Sequence, residues 1–319
     1  MLSYVLLIVG LALLIKGADF FVEGASKIAA SLHIPPILIG LTIVAFGTSS
    51  PEAAVSIVAA MEENAGVALG NVLGSNIFNI TLVIGLTALI NPLKVESATI
   101  KKEIPFTLLA SVALLVLMSD VALQFIGNNA ITRSDGLIFL LFFAIFMYYV
   151  FEVARNSREQ APDENSNKGQ GTWGKNIVMT VGGLVGIIFG GELVVDSSTK
   201  IAISLGMSET LVGLTIVAVG TSLPELITSV TAAIKKHSEI ALGNIVGSNI
   251  FNILFVLGAS SLISPLPVDS KLFFDVILMI FFTIVLFFFS RSHYRIGKFE
   301  GISLVIAYIA YMVFIIIRN

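Results

Sequence analysis

The sequence predicts an all-α membrane protein of ten transmembrane helices in two inverted five-helix repeats. Three observations carry that prediction. The chain of 319 residues is 56% hydrophobic and only 12% charged, with a mean hydropathy of +0.98. Soluble domains carry about a quarter charged residues, so most of this chain has lipid as its solvent. Apolar segments of the length a bilayer demands, about 20 residues, recur along it. One motif also occurs twice: "IVAFGTSSPE" at 43–52 returns as "IVAVGTSLPE" at 216–225.

The apolar segments fall near 2–22, 35–61, 66–91, 103–120, 135–153, 176–196, 209–233, 239–264, 271–290 and 299–317. The first, "MLSYVLLIVGLALLI", lacks the basic flank and small-residue cleavage site of a signal peptide. It occupies the place of the later run near 176–190, so it reads as a retained span. After the fifth segment, "ARNSREQAPDENSNKGQGTWGKN" (154–176) is polar and turn-rich, with Trp173 as an interfacial anchor. The chain thus divides into a first repeat (1–153), a linker (154–175) and a second repeat (176–319).

The halves align at one constant offset of 173 residues. "GLTIVAFGTSSPE" (40–52) matches "GLTIVAVGTSLPE" (213–225), and "ALGNVLGSNIFNI" (68–80) matches "ALGNIVGSNIFNI" (241–253). "SKIAASL" (26–32) matches "TKIAISL" (199–205). Two gap-free blocks at the same offset mark an internal duplication. Five spans per half is an odd number, so the second half enters the membrane upside down, the plan of secondary transporters with a midplane site between repeats.

Basic residues then set the orientation. With the N-terminus outside, the inside loops hold Lys27, Lys94, Lys101, Lys102, Arg155, Arg158, Lys168, Lys175, Lys235, Lys236, Arg291, Arg295 and Lys298. The outside loops hold Arg133, Lys200, Lys271 and Arg318, and Lys16 is within a helix. This positive-inside bias predicts both termini outside and a cytoplasmic linker in a multi-pass plasma-membrane protein. The net charge of −3 is too small to imply nucleic acid, and the absence of Cys excludes thiolate metal sites and thiol nucleophiles. No cofactor is implied, and no oligomer is required.

Glu52 and Glu225 fall near the centres of matching spans. A carboxylate at that depth costs about 2.5–3.5 kcal/mol and must face the bundle interior with polar company. One such residue is readily structural; two at symmetry-equivalent positions point to a site. Ala45, Thr48, Ser49 and Glu52 share a helical stripe, and Pro51 has no N–H for the carbonyl of Gly47, so the helix breaks there. Irregular backbone at membrane depth is tolerated where it lines a cavity or is buried in protein. Ala218, Thr221, Ser222 and Glu225 repeat the stripe around Gly220 and Pro224. The next span in each half carries Asn71, Ser75 and Asn79, or Asn244, Ser248 and Asn252, spaced by four. Gly70 and Gly74, with Gly243 and Gly247, let a neighbouring helix approach. The functional ligands on offer are all oxygens, since His33, His237 and His293 are in or near loops. Such a cage suits hard cations, Ca2+ and Na+.

The paired motifs "GTSSPE…GNVLGSNIFNI" and "GTSLPE…GNIVGSNIFNI" resemble the α-repeats of the sodium/calcium exchanger family, in the calcium/cation antiporter superfamily. The resemblance covers the ten-helix layout and implies an antiporter that exchanges Na+ for Ca2+ by alternating access. It implies a central ion cluster on the second, third, seventh and eighth spans, with the first and sixth sliding across it. Carried over by position, Glu52 and Glu225 are shared carboxylate ligands, and Thr48 and Thr221 add coordinating oxygens. Ser49, Ser75, Ser222 and Ser248, with the carbonyls of Ala45 and Ala218, form flanking Na+ sites. Asn79 and Asn252 sit at the midplane. Some relatives have Asp at the position of Asn252; the amide here leaves two acids and lowers the expectation of K+ co-transport. The linker is too short for the calcium-sensing domains of animal relatives.

Three rivals share these residues: a proton/calcium antiporter, an intramembrane enzyme using the two glutamates as acid and base, and a channel. The first places its key Glu in a "GN–x–x–E" context, unlike "GTS–x–PE" here. Hydrolysis does not explain duplicated hydroxyl and amide stripes, and a channel lacks obligatory counter-flux. Asp19, Glu23, Glu192 and Asp196 read as interfacial charges outside the site.

Overall fold

The computed structural model describes residues 2–124, 127–159, 173–206 and 218–318. Its long helices are α1 (Leu2–Leu32), α2 (Pro36–Thr48), α3 (Ser50–Met61), α4 (Ala65–Ile90), α5 (Glu103–Leu117) and α6 (Arg133–Glu159). After the linker come α7 (Trp173–Ser204), α8 (Leu223–Ile234), α9 (Ser238–Ile263), α10 (Ser270–His293) and α11 (Lys298–Arg318). Among the described residues, seven helices are long and apolar enough to cross a membrane. The bent pair α2–α3 makes an eighth span. The protein is thus a mostly helical membrane protein.

The fourth and seventh predicted spans remain, and the fourth is shorter than expected. The fourth is a 15-residue helix, α5, flanked by the short helices Ser97–Lys101 and Asp120–Gln124. At 1.5 Å per residue it is about 22 Å long, short of the roughly 30 Å hydrocarbon core. The first part of the predicted seventh span, 209–217, lies outside the described residues, and the described part forms Ala218–Gly220 and α8. The linker is also partly helical. α6 runs on to Glu159, where Arg155 and Glu159 form an i,i+4 ion pair at 3.2 Å, and α7 starts at Trp173. Residues 160–172 lie outside the described set.

Burial sorts the helices into layers. The apolar windows of α4 and α9 are 72% and 94% buried, against 33% or less for α1, α6, α7, α10 and α11. Helices α4 and α9 are therefore the central pair, and the others present apolar faces outward. α1 lies along α7 on a glycine seam. A Cβ on Gly183 would sit 2.5 Å from the Phe21 amide nitrogen and 2.7 Å from the Gly17 carbonyl, so only Gly permits that backbone contact. The same logic sets α9 against α2, where Gly247 faces the Leu41 carbonyl at 2.6 Å from its would-be Cβ. The partners expected of Gly70 and Gly74 at the same offset lie within 207–217, outside the described residues.

Two short antiparallel ladders, absent from an all-α expectation, cross between the halves. Leu93–Lys94 pairs with Arg295–Ile296, and Ala130–Ile131 pairs with Leu266–Pro267. Connecting segments brought alongside satisfy their backbone groups on each other.

Candidate ion-binding site

The path from α2 to α3 bends by 49° at Ser49. Ser49 has φ −83° and ψ 7°, which ends one helix, and Pro51 stands at the start of the next, where its missing N–H costs nothing. In the second half Ser222 adopts φ −92° and ψ 7°, with Pro224 at the start of α8. The two breaks are conformational copies. Each places its glutamate in the first turn of a helix, where the helix dipole favours negative charge.

Glu52 and Glu225 are both fully buried. Their carboxylates are held in a crossed arrangement. Ser49 Oγ donates to Glu225 Oε1 at 2.7 Å, and Ser222 Oγ donates to Glu52 Oε1 at 3.0 Å while pairing with Ser75 Oγ at 3.0 Å. The serine at each break therefore serves the carboxylate of the opposite half, which brings the two acids to one centre. Asn71 Nδ2 donates to the Glu52 carbonyl at 3.1 Å and to Ser56 Oγ at 2.9 Å. Its counterpart Asn244 donates to the Glu225 carbonyl at 3.4 Å and to Ser229 Oγ at 2.9 Å. These amides pin each broken helix to the central one.

The hydroxyl of Thr48 has three acceptors in reach: Val44 O at 3.1 Å, Ala45 O at 3.3 Å and Asn244 Oδ1 at 3.0 Å. One proton serves them, and the Ala45 carbonyl also accepts the Ser49 N–H at 2.9 Å. Thr221 differs, since its hydroxyl is buried without a partner among the described residues. The backbone of Ala218 is helical, and its side chain is outside the described set.

Fourteen buried side-chain nitrogen and oxygen atoms lack partners among the described residues, and six of them belong to the predicted site residues. These six are Glu52 Oε2, Glu225 Oε2, Asn79 Oδ1, Asn252 Oδ1, Thr221 Oγ1 and Ser248 Oγ. All six are oxygens; the carboxylates and the two Asn carbonyls occur as symmetry mates. A buried oxygen without a hydrogen-bond donor is costly unless a cation meets it. No group of three or more His, Cys, Asp and Glu that could hold a metal occurs among the described residues, where the acids at this centre are Glu52 and Glu225.

The motif reading missed Asn76 and Asn249. Both are buried. Asn79 Nδ2 donates to Asn249 Oδ1 at 3.3 Å, Asn252 Nδ2 to Asn76 Oδ1 at 3.2 Å, and Asn76 Nδ2 to the Asn249 carbonyl at 3.4 Å. The stripe at spacing four skips them. Their spacing of three from Asn79 and Asn252, inside the duplicated "GSNIFN", was the available signal. At Asn79–Val83 and Phe251–Val256 both central helices widen into a π-turn, a local irregularity frequent at functional sites. The interfacial charges stay apart from this centre. Lys235 Nζ pairs with Asp19 at 2.7 Å, Lys27 with Glu23 at 2.6 Å and Lys200 with Asp196 at 2.6 Å, and Glu192 is exposed.

The chain is similar along nearly its whole length to known proteins. A family model described as sodium/calcium exchanger protein matches residues 2–152 and 175–317. The putative antiporter CaxA of Alkalimonas amylolytica is 40% identical over 320 residues, covering 98% of both chains. The sodium/calcium exchanger MaX1 of Methanosarcina acetivorans is 34% identical over 341 residues, covering 98% of this chain and 97% of that one. A solved structure of the sodium-calcium exchanger NCX_Mj superposes with a TM-score of 0.85 at 33% identity, covering 98% of both chains. The chain belongs to the sodium/calcium exchanger protein family, whose members are transporters and not enzymes.

Proposed function

We propose that this protein is a secondary active antiporter that exchanges Na+ for Ca2+ through one oxygen-lined centre. The observation that carries the reading is the set of buried, unpartnered oxygens, above all the mirrored pairs Glu52 and Glu225 Oε2, and Asn79 and Asn252 Oδ1. Two carboxylates neutralise one Ca2+, which takes six to eight oxygen ligands. The carboxylates, the two amide carbonyls, Thr221 and Ser248 supply six. Ser49 and Ser222 support the carboxylates, Ser75 backs Ser222, and Thr48 with the Ala45 and Ala218 carbonyls extends the oxygen lining. Na+ competes for the same acids, and a centre that alternates only when charge-compensated couples the two fluxes. The names of MaX1 and NCX_Mj, both sodium/calcium exchangers, support this choice of ions.

In this reading the ten spans form two inverted repeats, 1–153 and 176–319, joined by a linker at 154–175. The shared offset, the matched helix breaks and the antiparallel cross-half ladders support it. The glycine seam joins α1 and α7 as one body able to slide across α2–α3 and α8. The positive-inside bias puts both termini outside and the linker in the cytoplasm, in the plasma membrane. Uptake of 45Ca2+ into Na+-loaded proteoliposomes tests the coupling. Uptake that follows the Na+ gradient at clamped pH supports exchange. Uptake driven by a pH gradient without Na+ makes the protein a proton/calcium antiporter instead.

A further inference from the structure

We propose that Asn76 and Asn249 are positioning residues that lock the side-chain amides of Asn79 and Asn252 with their carbonyl oxygens free for the ion. The inference rests on the ion-site reading above. An asparagine amide is nearly symmetric in shape but opposite in chemistry at its two ends, and an ion site accepts only the oxygen end. Asn79 and Asn252 are fully buried, so no water corrects a wrong orientation. In each, the NH2 end is occupied: Asn79 Nδ2 by Asn249 Oδ1 at 3.3 Å, and Asn252 Nδ2 by Asn76 Oδ1 at 3.2 Å. The opposite ends, Asn79 Oδ1 and Asn252 Oδ1, meet no donor among the described residues. Flipping Asn79 would set two acceptor oxygens against each other at Asn249 and turn an NH2 group into a centre built for cations. That NH2 would donate to a carboxylate and compete with the ion.

The locks are crossed between the halves. Asn79 of the first repeat is oriented by Asn249 of the second, and Asn252 by Asn76. The Asn76 Nδ2 bond to the Asn249 carbonyl at 3.4 Å ties the two locks together. Asn76 and Asn249 need not touch the ion; they decide what Asn79 and Asn252 present to it.

The test is equilibrium 45Ca2+ binding to the purified, monodisperse full chain. Asn249→Ala is expected to weaken Ca2+ binding about tenfold, the scale of one buried hydrogen bond. In an Asn79→Asp background, where both ends of the side chain are oxygen, the same Asn249→Ala change is expected to shift binding by less than about twofold. A general packing role for Asn249 would cost the same in both backgrounds, and that result overturns the proposal, as does no effect of Asn249→Ala in the wild-type background. If Asn249→Ala does not purify in folded form, Asn76→Ala with and without Asn252→Asp makes the same comparison. Glu52→Gln separates the two layers. Loss of Ca2+ binding in Glu52→Gln beside equal costs in the two backgrounds sinks only the positioning role. Full binding in Glu52→Gln sinks the ion-site reading and this inference with it.

Discussion

Replacing Glu52 by Gln removes one charge while preserving shape, and the structure makes its effect specific. Glu52 Oε1 accepts from Ser222 Oγ at 3.0 Å, a bond that the Gln carbonyl oxygen retains. Glu52 Oε2, which has no partner among the described residues, becomes an NH2 group. A unit charge about 2.4 Å from a divalent ion contributes roughly 14 kcal/mol at an effective dielectric of 20. Even a fifth of that, about 2.8 kcal/mol, is a 100-fold loss of Ca2+ affinity. The fold loses little, because a buried carboxylate oxygen without a partner is itself costly. Thermal unfolding with and without Ca2+ separates the two effects. The variant is expected to unfold at no lower temperature than the ion-free wild type, to lose the upward shift that Ca2+ gives by mass action, and to carry no Na+-driven 45Ca2+ flux. Wild-type flux, or an undiminished Ca2+-dependent shift, would refute the reasoning.

Three further outcomes follow from local geometry. Gly247→Ala drives a Cβ to within 2.6 Å of the Leu41 carbonyl and 2.7 Å of its Cα, both backbone atoms that cannot swing aside. It should cost about 1–3 kcal/mol in unfolding experiments and weaken Ca2+ binding by displacing α2; unchanged stability would mean that the seam is looser than described. Arg318→Ala strands Asp275, whose side chain is 4% exposed and held by Nη2 at 2.9 Å. A loss of about 3–5 kcal/mol is expected, largely recovered by adding Asp275→Asn, and an additive double variant would contradict the pairing. Burial, with the Lys235 charge nearby, holds the His237 imidazole below its ordinary 6.5. The unfolded chain then binds the proton more readily, so this histidine takes stability away as pH falls through 6.5 and on to its lowered value. His237→Gln should flatten that part of the stability profile, and an unchanged slope would remove the attribution.

Much of the candidate site's local geometry was legible in the sequence because its constraints are local. A proline and a carboxylate inside an apolar run announce a break and a buried charge, and duplication at one offset turns two weak signals into one strong one. Glu52, Ser49, Glu225 and Ser222 accordingly converge as their motifs suggested. What escaped depends on which partner meets which. Asn76 and Asn249 do not lie on the spacing-four stripe, and their role depends on a contact between halves that no single-helix pattern contains. The exchange of partners, Ser49 with Glu225 and Ser222 with Glu52, was likewise invisible, as was the difference between the tied hydroxyl of Thr48 and the free one of Thr221. Helix ends erred in the opposite direction. Polar residues after Val153 suggested a solvated linker, yet they continue α6 with an ion pair of their own.

The central claim, that both ions compete for one pair of carboxylates, is tested most directly by titrating Na+ against 45Ca2+ bound at equilibrium to the purified protein. The account predicts one Ca2+ per chain, complete displacement by Na+, and no specific Ca2+ binding once Glu52 and Glu225 are both Gln. Ca2+ that stays bound at saturating Na+, or that still binds the doubly substituted chain, would contradict it.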